Sequence, residues 1–139
     1  MHLVLAANAE VDQPWVADAT AELAQQTGAT VAVVSVDELP EGDIGAVPRS
    51  GFLERAEAAA DAAVQRLTAA GVTATKTVLS GRALDRILEF AAEQQPDVIV
   101  VGSSARGVLL ERLLGSVPIG LLERAGRPVL MVTEPGGRR

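Results

Sequence analysis

The residues best suited to chemistry lie in one stretch, Gly102-Ser103-Ser104-Ala105-Arg106-Gly107, followed after a short apolar segment by Gly115-Ser116-Val117. Small side chains let a ligand approach the backbone. Ser116 is a good N-cap, and Pro118 is tolerated in the first turn of the helix that follows. The first backbone N–H groups of a helix have no partner within it, so a small-residue loop running into a helix start makes an anion cradle, with phosphate as the natural guest. The same glycines and serines also serve as ordinary turn and cap residues in α/β loops, and both readings stay open at this point. No Gly-Lys-Ser/Thr occurs, and no GxGxxG follows the first apolar run. A P-loop NTPase and a dinucleotide-binding enzyme are therefore not indicated.

Little else in the chain can do chemistry. With Cys 0 and His 1, disulfides, thiol catalysis and Cys/His zinc sites are excluded, which leaves only carboxylate sites for a metal. His2 starts the first strand, at the end opposite the expected site, so no Ser/His/Asp arrangement can form there and no general base is found. Asp97 starts another strand and is expected to cap or orient the preceding turn. Trp15, near a helix start, is expected to pack. Arg106 in the loop and Arg82 on a neighbouring loop could meet phosphate oxygens bidentately. A net charge of −6 and 2% aromatic residues argue against nucleic acid, whose binding needs phosphate neutralisation and stacking surfaces.

These residues need a scaffold, and the apolar pattern supplies one. Leu3–Ala7 is a continuous apolar run suited to a strand buried on both faces. Pro14 opens a helix that Gly28 stops. Ala29–Val36 repeats the buried-strand pattern with four valines. Asp37–Ser50, with Pro40, Gly42, Gly45 and Pro48, reads as a mobile acidic loop. A helical stripe runs from Phe52 through Leu53, Ala56, Ala60 and Leu67 to Gly71, and Val72–Leu79 alternates as an edge strand does. Ala83 opens a third helix that Pro96 closes. Asp97–Val101 is the most hydrophobic strand and is expected to be central. An amphipathic turn over Val108–Leu114, a helix over about Val117–Ala125 and a last strand over Val129–Val132 complete the chain. Five strands alternating with helices predict one α/β domain over 1–139, a doubly wound parallel sheet with a flexible tail from 133. In such sheets ligands bind outside the carboxyl ends of the strands, where strand order reverses, which points to the residues just after each strand. No apolar stretch reaches the about 18 residues of a membrane span, and the start lacks the basic region of a signal peptide, so a cytoplasmic protein is expected.

The run VGSSARGVLLERLLGSV, residues 101–117, resembles the nucleotide loop of the universal stress protein family: glycine, two residues, glycine, nine residues, glycine, then serine or threonine. Gly102, the nine residues Arg106–Leu114 and Gly115-Ser116 keep that spacing, while Ala105 stands where the family has its second glycine. The segment Ser80-Gly81-Arg82-Ala83, the run PDVIVVGS and the closing RPVLMV extend the resemblance over nearly the whole chain. It implies a Rossmann-like fold of the adenine nucleotide alpha-hydrolase type, with strand order 3-2-1-4-5. It also implies an ATP-binding regulator or sensor of the stress response, with Mg²⁺ held through the phosphates, rather than an enzyme. The implied nucleotide-binding residues are Asn8, Val36, Gly102, Ala105, Arg106, Gly107, Gly115, Ser116 and Val117. Asn8 replaces an aspartate that contacts the nucleoside, and both departures weaken binding. The alternative is a dimeric interaction module of the same fold that binds no nucleotide and acts on an unidentified protein partner. In either case the resemblance implies a homodimer through strand 129–132, an edge that lacks the charges that would blunt it.

Overall fold

In the computed structural model, residues 1–38, 49–103 and 116–135 are described. The side chains of Arg49, Ser50 and Ser116 lie outside that description. The elements follow in the order β1 His2–Ala7, α1 Pro14–Thr27, β2 Thr30–Asp37, α2 Arg49–Ala69, β3 Ala74–Ser80, α3 Ala83–Gln94, β4 Val98–Gly102, α4 Ser116–Arg124 and β5 Val129–Val132. The five strands form one sheet in the order β3-β2-β1-β4-β5, all parallel. The doubly wound sheet expected from the sequence is what the chain forms.

The continuous apolar runs have a simple cause. Successive strand residues point to opposite faces, and here both faces are covered. Leu3, Leu5, Val31 and Val33 pack with Val16, Ala17, Ala60, Ala63 and Leu67 of α1 and α2. Val4, Ala6, Ala32, Val34 and Val36 pack on the other face with Ile87, Phe90 and Ala91 of α3 and Leu121 of α4. Register is tight across the middle, with Leu5 opposite Val33 on one side and Val100 on the other.

The strand boundaries move by a residue or two, and the start of β3 changes. The order is the one that the family resemblance implied: β1 is the middle strand, and the very apolar β4 is interior, paired with β1 and β5. Val72, expected to open β3, is instead a buried turn residue whose N–H donates to Leu67 O, and the strand starts at Ala74. The segments Val108–Leu114, 39–48 of the acidic loop and 136–139 of the tail lie outside the described residues.

The amino end of the sheet is closed by the pair singled out in the sequence. The His2 N–H donates to Asp97 Oδ2 at 2.8 Å, and the Asp97 N–H donates to His2 O at 2.7 Å. The His2 ring bridges Thr30 Oγ1 (2.7 Å) and Gln94 Oε1 (2.8 Å), which fits the Nε2–H tautomer. His2 is thus a structural residue, and Asp97 secures the start of β1 rather than the turn before it.

The two sheet edges are unlike. On β3, Lys76 stands half out in solvent and its Nζ reaches Asp61 Oδ1 of α2 at 2.9 Å, a contact that raises the lysine above its ordinary pKa. On β5 all four residues are apolar.

Pro14 occupies the first turn of α1, and Gly28 ends it at φ 71°, donating its N–H to Ala24 O. A Cβ at Gly28 would meet nothing within 4 Å, so only the left-handed backbone would penalise it. Gly28→Ala is therefore expected to lower stability by about 1 kcal/mol. Urea denaturation checks it: the midpoint should fall with the slope unchanged.

Candidate functional site

Three carboxyl strand ends meet around a cleft of about 230 Å³ where the order reverses between β1 and β4. Its walls come from separate parts of the chain. Asn8, Glu10 and Gln13 follow β1, Val36 lies near the end of β2 with Glu38 just after it, and Gly102 ends β4. Phe52 and Arg55 come from α2, Ala83 and Ile87 from α3, and Val117 and Pro118 from α4. Of the residues expected at the site, the cleft brings together Asn8, Val36, Gly102 and Val117. Ser116 opens α4 beside Val117. Ala105, Arg106, Gly107 and Gly115 lie outside the described residues. Arg82 precedes α3 and is not among the residues that line the cleft.

A second cleft of about 520 Å³ adjoins it, between α1 and α2, and shares Asn8, Glu10, Gln13 and Arg55 with the first. It is larger, yet it contains none of Val36, Gly102 and Val117 and is walled by Ala58, Ala59, Ala62 and Ala63. The smaller cleft is the better candidate, because it alone sits where the carboxyl ends of β1, β2 and β4 meet the start of α4.

The polar groups of the cleft are already partly engaged. Asn8 Oδ1 accepts the N–H groups of Glu10 (2.8 Å) and Val11 (3.1 Å), folding the segment after β1 back on itself. Its acceptor oxygen therefore holds the loop, and the Nδ2 donor is what remains for a ligand. Glu38 Oε2 accepts the Ala83 N–H at 2.9 Å and caps the start of α3. A carboxylate there satisfies one of the unpaired donors of a helix start and complements its dipole.

Gly102 has an origin that the motif alone does not show. A Cβ at this position would fall 2.6 Å from Gln13 Oε1 and 2.6 Å from Val16 Cγ2. Contacts that short do not occur, so α1 can sit against β4 only because residue 102 has no side chain. The next residue is held from two sides. Gln13 Nε2 donates to Ser103 O at 3.0 Å, and the Ser103 N–H donates to Val132 O at 3.0 Å. Ser103 is 5% exposed. The end of β4 is thereby locked to the start of α1 and to β5 before the loop begins.

Phe52, Arg55, Gln13, Glu38 and Ile87 were not singled out from the sequence. The Phe52 and Arg55 pair carried one legible signal, an aromatic residue and a cation three apart in the first turns of a helix, which share a face. Nothing in the sequence said that this face borders the cleft. Among the described residues, no group of three or more His, Cys, Asp or Glu is placed to hold a metal ion, and no helix is long and apolar enough to cross a membrane.

With this geometry in place, the comparisons agree on one family. The chain is 37% identical over 65 residues to universal stress protein MJ0531 of Methanocaldococcus jannaschii; that match covers 47% of this chain and 38% of the relative. A solved universal stress protein from Archaeoglobus fulgidus superposes with TM-score 0.71 at 27% identity, covering 94% of this chain and 92% of that one. The Archaeoglobus fulgidus universal stress protein in complex with dAMP gives TM-score 0.69 at 27% identity, covering 94% and 96%. The model of the universal stress protein family matches residues 1–133. Sequence order, sheet topology and full-length match together place this chain in the universal stress protein family.

Proposed function

We propose that the protein binds an adenine nucleotide in the cleft between the ends of β1 and β4 and acts as a regulator through that occupancy. The observation that carries the reading is the meeting of Asn8, Val36, Gly102 and Val117 at the point of strand-order reversal. The related Archaeoglobus fulgidus protein, solved with dAMP, supports the same ligand class. The walls suit it. Val36, Ile87, Val117 and Phe52 offer apolar surface to a base, and Asn8 Nδ2 offers a donor to the sugar. Ser116, at the start of α4, stands at the helix end that favours anions. Mg²⁺ enters, on this reading, with the phosphates. The ligand in the cell is, on this reading, ATP or a product of it.

Calorimetric titration of AMP and ATP into protein unfolded, freed of carried-over ligand and refolded should show one site per chain. Absence of heat with both nucleotides would overturn the reading. The double replacement Asn8→Asp with Ala105→Gly restores the family's own residues at both departures. It is expected to tighten ATP binding about tenfold, the gain if the family's second glycine is there to adopt a left-handed backbone. An unchanged affinity would show that these two positions do not limit binding.

A second reading has two observations in its favour. Asn8 turns its acceptor into its own loop, and Gly102 is required by α1 whether or not a phosphate ever approaches. Both suit an interaction module that needs no ligand. On either reading we propose a homodimer through β5, whose four residues are all apolar.

A further inference from the structure

The two described carboxylates that face the cleft, Glu10 and Glu38, would repel a phosphate, and one cation stands against them. Arg55, on the second turn of α2, lines this cleft and also its neighbour across the segment after β1. Its guanidinium carbon lies 5.6 Å from the centre of the Phe52 ring, three residues back on the same helix face. Among the described residues, that ring is what holds the guanidinium, with no hydrogen-bond or ion-pair partner for its N–H groups. Other described surface arginines are paired: Arg66 with Asp18, Arg86 with Glu89 and Arg124 with Asp85. Arg55 is thus oriented by an aromatic face and keeps its fork of donors available beside a ligand-sized cleft.

We infer that Arg55, steadied by Phe52, is the residue that receives the anionic group of the ligand and lets the site distinguish a nucleotide from a nucleoside. The inference rests on the adenine-nucleotide reading and adds to it a residue from α2, outside the loop motif. A planar guanidinium meets two phosphate oxygens at once, and such charge-assisted pairs are about twice as strong as neutral ones. Without Arg55, the described side-chain charges facing the cleft would all be negative. Phe52 limits the rotamers that Arg55 must give up on binding, which is how a stacked ring contributes without touching phosphate.

The test compares AMP with adenosine by calorimetry, in the wild type and in Arg55→Met and Arg55→Lys, at low and high salt. Arg55 is exposed, so neither variant disturbs the core. The wild type is expected to prefer AMP by about tenfold, and Arg55→Met to lose that preference while holding adenosine as before. Arg55→Lys should keep part of it, with a steeper loss in salt, since a point charge replaces a bidentate fork. If Arg55→Met keeps the wild-type preference, or the wild type binds AMP and adenosine equally, the role of Arg55 is overturned while adenine binding stands. If the wild type binds neither, the adenine-nucleotide reading fails, and this inference with it.

Discussion

Gly102→Val is expected to destabilise the protein by about 2–4 kcal/mol and to reduce nucleotide binding at the same time. The first methyl-sized atom already falls 2.6 Å from both Gln13 Oε1 and Val16 Cγ2. Val16 is 4% exposed and fixed in the core between α1 and the sheet, so it cannot swing into solvent. Overpacking of this kind costs about 1–3 kcal/mol. Displacing Gln13 also breaks its bond to Ser103 O, which leaves a buried carbonyl without its partner and adds about 1 kcal/mol or more. The better strand propensity of valine is worth at most about 1 kcal/mol and does not reverse the sign. For a domain whose whole stability is about 5–15 kcal/mol, the loss is large. Urea denaturation measures it, and a double-mutant cycle identifies its cause. Gly102→Ala should cost clearly less in a Val16→Ala background than in the wild type, because the two substitutions share one space. Additive costs would show that the clash is relieved elsewhere. Binding should fall too, because Ser103 leads directly into the Gly102–Gly107 stretch and moves with residue 102.

The homodimer through β5 carries the second large expectation. β5 pairs with β4 alone and forms one edge of the sheet. Pro128 O and Val132 O accept from the N–H groups of Ile99 and Ser103. Alternation along the strand therefore turns the N–H and C=O groups of Val129 and Met131 to the open side. Leu130 is 39% exposed, and Leu122 of the neighbouring α4 is 54% exposed, so apolar surface accompanies the open edge. The opposite edge, β3, presents Lys76 in an ion pair with Asp61, the usual protection against unwanted pairing. One edge is guarded and the other is not. A second copy of β5, antiparallel across a two-fold axis, would satisfy both rows of backbone groups. Met131→Pro removes an outward donor and spares the β4 ladder, and Leu130→Lys puts a charge into the contact. Both variants should sediment as single chains of 14.4 kDa, and the wild type as twice that mass. A monomeric wild type at micromolar concentration, or dimeric variants, would show that β5 is not the interface.

Much of this protein was legible in its sequence because the signals are local. A strand covered on both faces must be apolar at every position, so Leu3–Ala6 and Val31–Val34 declare themselves without reference to any partner. Pro14 and Gly28 mark the ends of α1 through backbone geometry that each residue carries alone. The spacing of Gly102, Gly115 and Ser116 carried the family. What the sequence left undecided depends on residues brought together from far apart. Apolarity alone marks β1, β2 and β4 as interior strands, and their order came from the family resemblance rather than from any local signal. Gly102 reads as a ligand-loop glycine, yet its necessity comes from Gln13 and Val16, nearly ninety positions earlier. Asn8 reads as a ligand contact, and its oxygen is turned back to its own backbone. Phe52 and Arg55 read as an ordinary helix start until the packing of α2 across β2 and β3 lays that turn along the cleft. Periodicity determined which face of each element is buried. Only tertiary packing decided which of the remaining side chains share a space, since hydrophobic burial is indifferent to the polar ends that it brings together.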